Sequence, residues 1–241
     1  VIQRWWRAAK QRRWFLQARK NLEQRTHIIK EILSTEEHYV NGLKVIQQFF
    51  SRPLANASPD DQQDMFTLEK DDHKTLFGQI DIILGYNSAL LQELEAKKGK
   101  WHANATISDI FLSMVPFLKT YSFYVQNYPA KIALLQQLNK KPEWKTFERN
   151  AWRKAKKRGQ SLSSFLILPI QRIPRYEMLL KDLLKRTWPE HPDYQGLSIA
   201  FNRISDTAAD INEQAKKAEK LQRVLEVASQ ITECPISLVQ P

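Results

Sequence analysis

The chain has 241 residues, 42% of them hydrophobic, six glycines, one cysteine and a formal net charge of +11. The single cysteine, Cys234, excludes an internal disulfide framework and fits a reducing compartment. No apolar run approaches the roughly 18 residues of a membrane-spanning helix, no secretory signal is visible, and the start at Val1 reads as the beginning of an excerpt from a longer protein.

The charge is unevenly spread. Residues 1–25 hold eight Lys/Arg and one Glu, and residues 140–158 hold nine Lys/Arg and two Glu, while the rest of the chain is slightly acidic. Two basic patches on a near-neutral body point to localised acidic partners: an acidic protein, an anionic membrane or a nucleic acid. They are equally compatible with solvated faces that keep a helical protein soluble.

Apolar residues recur at intervals of three and four, and strand-like alternation is scarce, so the chain reads as nearly all-α. Residues 1–24 read as a basic helix with aromatic anchors, and a second helix is expected from about His27 to Phe50. Residues 51–60, SRPLANASPD, read as a loop. Helical spacing resumes near Leu68 and runs to about Lys98, with a break at Gly99 to Asn104. A helix over Thr106–Asn127 carries Pro116 inside it or at a join, and Tyr128-Pro129 ends it. Shorter helices follow near 130–139 and 143–157. A long bent helix is expected over about 162–187, and a final one from Tyr194 to about Thr232. Helices of this length joined by loops of variable length predict an elongated bundle.

The bent helix, within SFLILPIQRIPRYEMLLKDLLKR (residues 164–186), is the most informative stretch. Pro169 and Pro174 each remove a backbone donor, and each costs roughly 3 kcal/mol in a helix interior. The bend must be offset by packing or used to shape a surface. Arg172 and Arg175 read as structural, satisfying freed carbonyls or pairing with a carboxylate.

Three polar residues sit on or beside apolar stripes. Over residues 28–50 the apolar side chains fill an arc about 140° wide, with Glu36 near its centre. A carboxylate there is either paired internally or held for a partner, because burying it alone costs several kcal/mol. On the bent helix, Leu166, Ile170, Glu177 and Lys181 form a row beside the main stripe. On the last helix, Asn212 edges the stripe of Leu197, Phe201, Ile204, Ala208 and Ile211.

IIKEILSTEEHYVNGLKVI (residues 28–46), with its Thr-Glu-x-x-Tyr-Val core, resembles the first conserved region of a Dbl-homology domain, the exchange module of Rho-family guanine-nucleotide exchange factors. FLILPIQRIPRYEMLLKDLLK (residues 165–185), with Pro-x-Gln-Arg-x-x-x-Tyr-x-x-Leu-Leu, resembles the third, and residues 105–128 are compatible with the second. The likeness covers about residues 25–220 and leaves 221–241 as the helix end and a connection. It implies an elongated helical bundle whose first, bent and last helices bind a Rho-, Rac- or Cdc42-type GTPase through Glu36, Lys181 and Asn212, with Leu166 and Glu177 as neighbouring contacts. It also implies nucleotide release without covalent chemistry, no cofactor and no metal. Leu168 departs from the family pattern, where many relatives carry Lys.

VIQRWWRAAKQRRWF (residues 1–15) resembles an IQ motif, which binds calmodulin or a related light chain, with Ile2, Gln3, Arg7, Arg12 and Phe15 at motif positions and Ala8 in place of the usual glycine. A basic helix with Trp5, Trp6 and Trp14 suits an acidic helical-groove protein, contact with an anionic membrane, or packing onto the bundle. The expected location is cytoplasmic, with recruitment to membrane or cytoskeleton. The rival reading is a basic helical adaptor that scaffolds a GTPase or membrane without releasing nucleotide. A nucleic-acid partner would rest on charge alone and is not expected. No nucleotide site is expected either, because no Gly-rich phosphate loop is present. His27, His38, His73, His102 and His191 are scattered without metal-ligand spacing, so a hidden enzyme has no visible machinery.

Overall fold

The computed structural model describes residues 2–55, 66–157 and 159–230, and every regular element among them is helical. Helix α1 spans Ile2–Ile46 and runs on through a π-helical turn, Gln47–Ser51, into α2, Arg52–Ala55. Helices α3 (Lys70–Phe77) and α4 (Ile80–Lys98) follow, then α5 (Ser108–Met114), a 3₁₀ turn (Val115–Phe117) and α6 (Leu118–Gln126). The chain continues through α7 (Tyr128–Leu138), α8 (Pro142–Lys154), α9 (Leu162–Leu166), α10 (Leu168–Lys185) and α11 (Tyr194–Gln230).

The expected division between a helix over 1–24 and a second from His27 is absent, because α1 is one uninterrupted helix of 45 residues. The segment KNLEQRTHI holds no Gly or Pro, and Thr26 bonds back to the Leu22 carbonyl at 2.9 Å, so nothing stops propagation. At 1.5 Å per residue α1 is about 68 Å long. Its first fully buried described side chain is Arg25, which donates to Asp193 Oδ2 at 2.6 Å and to the Ala105 carbonyl at 3.0 Å. Asp193 in turn accepts from the backbone N–H groups of Ile107 and Ser108, capping the start of α5 from 85 residues away. This buried knot fixes where α1 enters the bundle, and the residues before it project.

Three other boundaries differ from expectation. The helix expected from near Leu68 to about Lys98 is broken at Gly78 and Gln79 into α3 and α4. Residues 51–55 are helical rather than loop, and the remainder of that expected loop lies outside the described residues. The helix expected over 106–127 is split by the 3₁₀ turn at Pro116, which satisfies the backbone around a residue with no N–H. Residues 231–241, including Cys234, lie outside the described residues.

The core runs along one side of α1, through Ile32, Val40, Leu43, Ile46 and Phe50, and joins α4, α10 and α11. At the far end of α1 an aromatic cluster closes the bundle, with Phe50 4.7 Å from Trp152 and Trp152 4.8 Å from Phe165. A Cβ on Gly42 would stand 2.6 Å from Leu168 Cδ1, so a bare glycine lets the α9–α10 join lie close against α1. Lys131 is fully buried and caps the end of α3, donating to the carbonyls of Thr75 and Leu76 at 2.8 and 3.0 Å.

The two prolines play different parts. The bent helix breaks at Ile167 into α9 and α10, which places Pro169 in the first turn of α10, where its missing donor costs little. Only Pro174 lies inside a helix. At the join, the Leu166 carbonyl is taken by the Tyr124 hydroxyl at 2.6 Å rather than by Arg172.

Candidate functional site

Helices α1, α10 and α11 pack side by side, with α10 in the middle. Bonds from α10 to both neighbours set the register. Arg172 reaches Glu36 and Arg175 reaches Glu31 of α1, while Glu177 accepts from Ser205 of α11 at 2.9 Å. The two bonds to α1 make it antiparallel to α10, and the short link from Lys185 to Tyr194 turns α11 back along α10 in the opposite direction.

Glu36 does not face outward. It is fully buried, with Arg172 Nη2 donating to its Oε2 and the Tyr176 hydroxyl donating to the same oxygen at 2.6 Å. The Arg172 guanidinium lies 4.3 Å from the Tyr176 ring centre and 5.3 Å from that of Tyr39. Beyond them Tyr176 reaches Asn87 Oδ1 at 2.9 Å, and Asn87 donates to the Tyr121 hydroxyl at 2.6 Å. Burial raises the Glu36 carboxyl above its ordinary value, with Arg172 and Tyr176 pulling against that rise. Burial works against the Arg172 charge, but Tyr176 and Glu36 reverse this and the net direction is upward. Glu36 is a structural carboxylate at the junction of α1, α4 and α10. Its assignment as a GTPase contact is corrected: the centre of an apolar arc faces the core, and a native arginine fills the partner's place. Leu166 is corrected likewise, being fully buried at the end of α9.

The surface of the same three helices carries another pair. Arg175 Nη2 donates to Glu31 Oε1 at 2.5 Å, with the two side chains 39% and 46% exposed. One turn and a half before Glu36, Glu31 lies on the α10 flank of α1 rather than in the apolar arc. Lys181 is exposed, Glu177 is half-buried against Ser205, and Asn212 is exposed on α11, seven residues beyond Ser205 and so on the same helix face. The antiparallel register puts Asn212 level with the start of α10 and Lys181 near its far end, about 16 Å apart along the axis. Glu36, Lys181 and Asn212 therefore do not converge. Along the axis of α10, Arg175 lies about 8 Å from the level of Asn212 and about 9 Å from Lys181, and Met178, 43% exposed, lies on α10 between Arg175 and Lys181. The missed signal was Arg175, one residue before the buried Tyr176: a cation at the edge of a stripe, able to reach the neighbouring helix.

The profile of the RhoGEF domain matches residues 28–212. The chain belongs to the RhoGEF family. This RhoGEF domain is 38% identical over 224 residues to "Guanine exchange factor for Rac 30" of Dictyostelium discoideum, covering 91% of this chain and 13% of that one. It is 32% identical to "Protein ECT2" of Homo sapiens, covering 89% and 23%, and 30% identical to "Myosin-M heavy chain" of Dictyostelium discoideum, covering 88% and 12%. The domain thus spans a small fraction of the curated relatives it matches. In fold it is similar to the structure titled "Autoinhibited Vav1", with a TM-score of 0.72 at 24% identity over 90% of this chain and 38% of that one. It is also similar to "Crystal Structure of the DH/PH Domains of p115-RhoGEF", with a TM-score of 0.72 at 20% identity over 85% and 55%. The match begins at residue 28 and so excludes the projecting half of α1, on which Gln3, Arg12 and Phe15 are exposed; the side chains of Ile2 and Arg7 lie outside those described. Packing of this helix onto the bundle is ruled out for Trp5, Trp6, Trp14 and Phe15, each more than 60% exposed.

Proposed function

We propose that this chain stimulates GDP release from a Rho-family small GTPase by holding the nucleotide-free form on the α1–α10–α11 face. Membership of the RhoGEF family supports the activity, and the half-exposed Glu31–Arg175 pair supports the place. An exposed ion pair is held weakly, by about 0–1 kcal/mol, so an incoming surface can open it at little cost. Glu31 then accepts from a backbone amide or hydroxyl of a switch segment, Arg175 donates to a switch carboxylate or carbonyl, and Asn212 offers both an acceptor and a donor. Switch segments gripped this way no longer support the metal and phosphates, so the module favours the empty GTPase by differential binding and no bond of its own is made or broken. Lys181 lies at the rim, where it steers rather than anchors.

The projecting half of α1 is the second element of the proposal. It binds calmodulin or a related acidic light chain. Its aromatic side chains surround the helix instead of forming one stripe, as a clasping partner requires and a flat membrane surface does not. Release of mant-GDP from a panel of Rho-family GTPases tests the first element. Binding without accelerated release would favour the adaptor reading.

A further inference from the structure

Residues 140–157, on and around α8, carry eight exposed Lys or Arg side chains and one exposed acid, Glu143. The second acid, Glu148, is turned inward: its Oε1 accepts from the Leu162 backbone N–H at 2.9 Å and from Trp152 Nε1 at 3.3 Å. Among the described residues none of the eight cations forms an ion pair. Trp144, Phe147 and Trp152 bury the other side of α8 against Phe50, Phe66 and Phe165, which mounts the helix rigidly at the far end of the bundle.

The bundle does not account for this charge. Arg153 and Lys154 complement the C-terminal end of α8, but Lys140, Lys141 and Lys145 sit at its N-terminal end, where the helix dipole disfavours cations. Lys145, Arg149 and Arg153 follow one another at four-residue steps, and like charges at that spacing repel. The three span about 12 Å of the helix within an arc of about 80°. No neighbouring element relieves them. The π-helical turn against which α8 packs is uncharged, and α2 beyond it adds the exposed Arg52. By sequence, residues 56–65 supply three aspartates, Asp60, Asp61 and Asp64, which leaves the cations in excess. A polyanion from outside the chain is the missing complement.

The candidate polyanions differ in what they need. The core of a protein interface needs aromatic or apolar anchors, and single-stranded nucleic acid needs exposed rings on which bases stack. The patch exposes neither a ring nor a large aliphatic side chain, because Trp144, Phe147 and Trp152 are all turned inward. An anionic bilayer needs only charge presented on a fixed surface. We infer that the α8 face docks this RhoGEF domain on a bilayer that carries anionic lipid headgroups. The contact is electrostatic and inserts nothing into the acyl chains. Phe50, on which Trp152 packs, lies about 28 Å along α1 from Glu31, so a bilayer at α8 leaves the Glu31–Arg175 face open. Duplex DNA also binds by charge and is the competing outcome.

Co-sedimentation of the whole chain with vesicles is the measurement, using phosphatidylcholine alone or mixed with phosphatidylserine. Binding should require phosphatidylserine and fall steeply as salt is raised. Lys145→Glu/Arg149→Glu/Arg153→Glu should weaken it by about tenfold or more, while Lys10→Glu/Arg12→Glu/Arg13→Glu, the same charge change on the projecting helix, should weaken it by no more than about threefold. Both triple variants alter exposed side chains only. If the α8 variant loses its unfolding transition, the neutral Lys145→Gln/Arg149→Gln/Arg153→Gln takes its place, with a smaller loss in the same direction. Equal weakening by the two patches, binding to phosphatidylcholine alone, or no binding to either vesicle overturns the inference. So does tighter binding to duplex DNA than to phosphatidylserine vesicles with the same dependence on the α8 residues, which would assign the patch to nucleic acid.

Discussion

Glu36→Ala should act on stability rather than on contact with a GTPase. The substitution leaves the Arg172 guanidinium, 5% exposed, without its carboxylate and between the rings of Tyr39 and Tyr176. Removing one partner of a buried ion pair costs about 3–5 kcal/mol. In a domain of this size each kcal/mol moves the midpoint by roughly 2–4 °C, so a fall on the order of 10 °C is expected. Tyr176 then turns its one hydroxyl proton from the lost carboxylate to Asn87 Oδ1, 2.9 Å away, so the network is only partly broken. Thermal and urea unfolding followed by circular dichroism give the cost, and Glu36→Ala/Arg172→Met should recover much of it by removing the orphaned charge. A loss below about 1 kcal/mol, with exchange abolished in a fully folded variant, would refute the structural role and return Glu36 to the interface.

Asn212→Ala should leave unfolding unchanged within about 0.5 kcal/mol and slow GDP release several-fold, which stopped-flow fluorescence would detect. Asp193→Ala should destabilise the domain by about 3–5 kcal/mol, because it strands Arg25 and uncaps α5; urea titration checks this. Burial pulls the Lys131 ammonium from an ordinary 10.5 to about 8. Between pH 8 and 10 the unfolded chain therefore holds the extra proton, and stability should rise by about 2 kcal/mol relative to Lys131→Met. Above pH 10 the difference between the two forms levels off, while the absolute stability of both falls, since burial raises the hydroxyls of Tyr39, Tyr124 and Tyr176 and the unfolded chain loses its protons first. A parallel pH course for the lysine and methionine forms would contradict the assignment.

Much of the fold was legible because long helices announce themselves through apolar spacing. The apolar arc on α1 and the stripes on α10 and α11 are the faces that are buried. Joins were less legible. Nothing local between residues 20 and 28 separates one long helix from two, and only the Arg25–Asp193 knot, formed across 168 positions, marks where the bundle begins. Pro169 looked like an interior proline until the break at Ile167 placed it in a first turn. At the site, the pattern alone left Glu36 open between an internal pair and a partner contact, and the family resemblance favoured the contact. The structure favours the pair because Arg172, four residues before Tyr176, projects from α10 into the same space. Arg172 and Arg175 each pair with a carboxylate, as expected of both, but Arg175 does so at the surface, with Glu31, an acidic residue that carried no signal in its own helix. Such cross-helix pairs depend on register between segments more than 130 residues apart, which periodicity within either segment does not encode.

The most direct test is the rate of mant-GDP release from Rho-, Rac- and Cdc42-type GTPases with the unaltered chain and with Glu31→Ala and Arg175→Ala. The unaltered chain should accelerate release from at least one of them. Each variant should keep its unfolding midpoint, because an exposed pair contributes about 0–1 kcal/mol, and should lose most of the acceleration. Undiminished exchange in both folded variants would contradict the placement of the GTPase on the α1–α10–α11 face, and no acceleration by the unaltered chain on any GTPase would contradict the exchange activity itself.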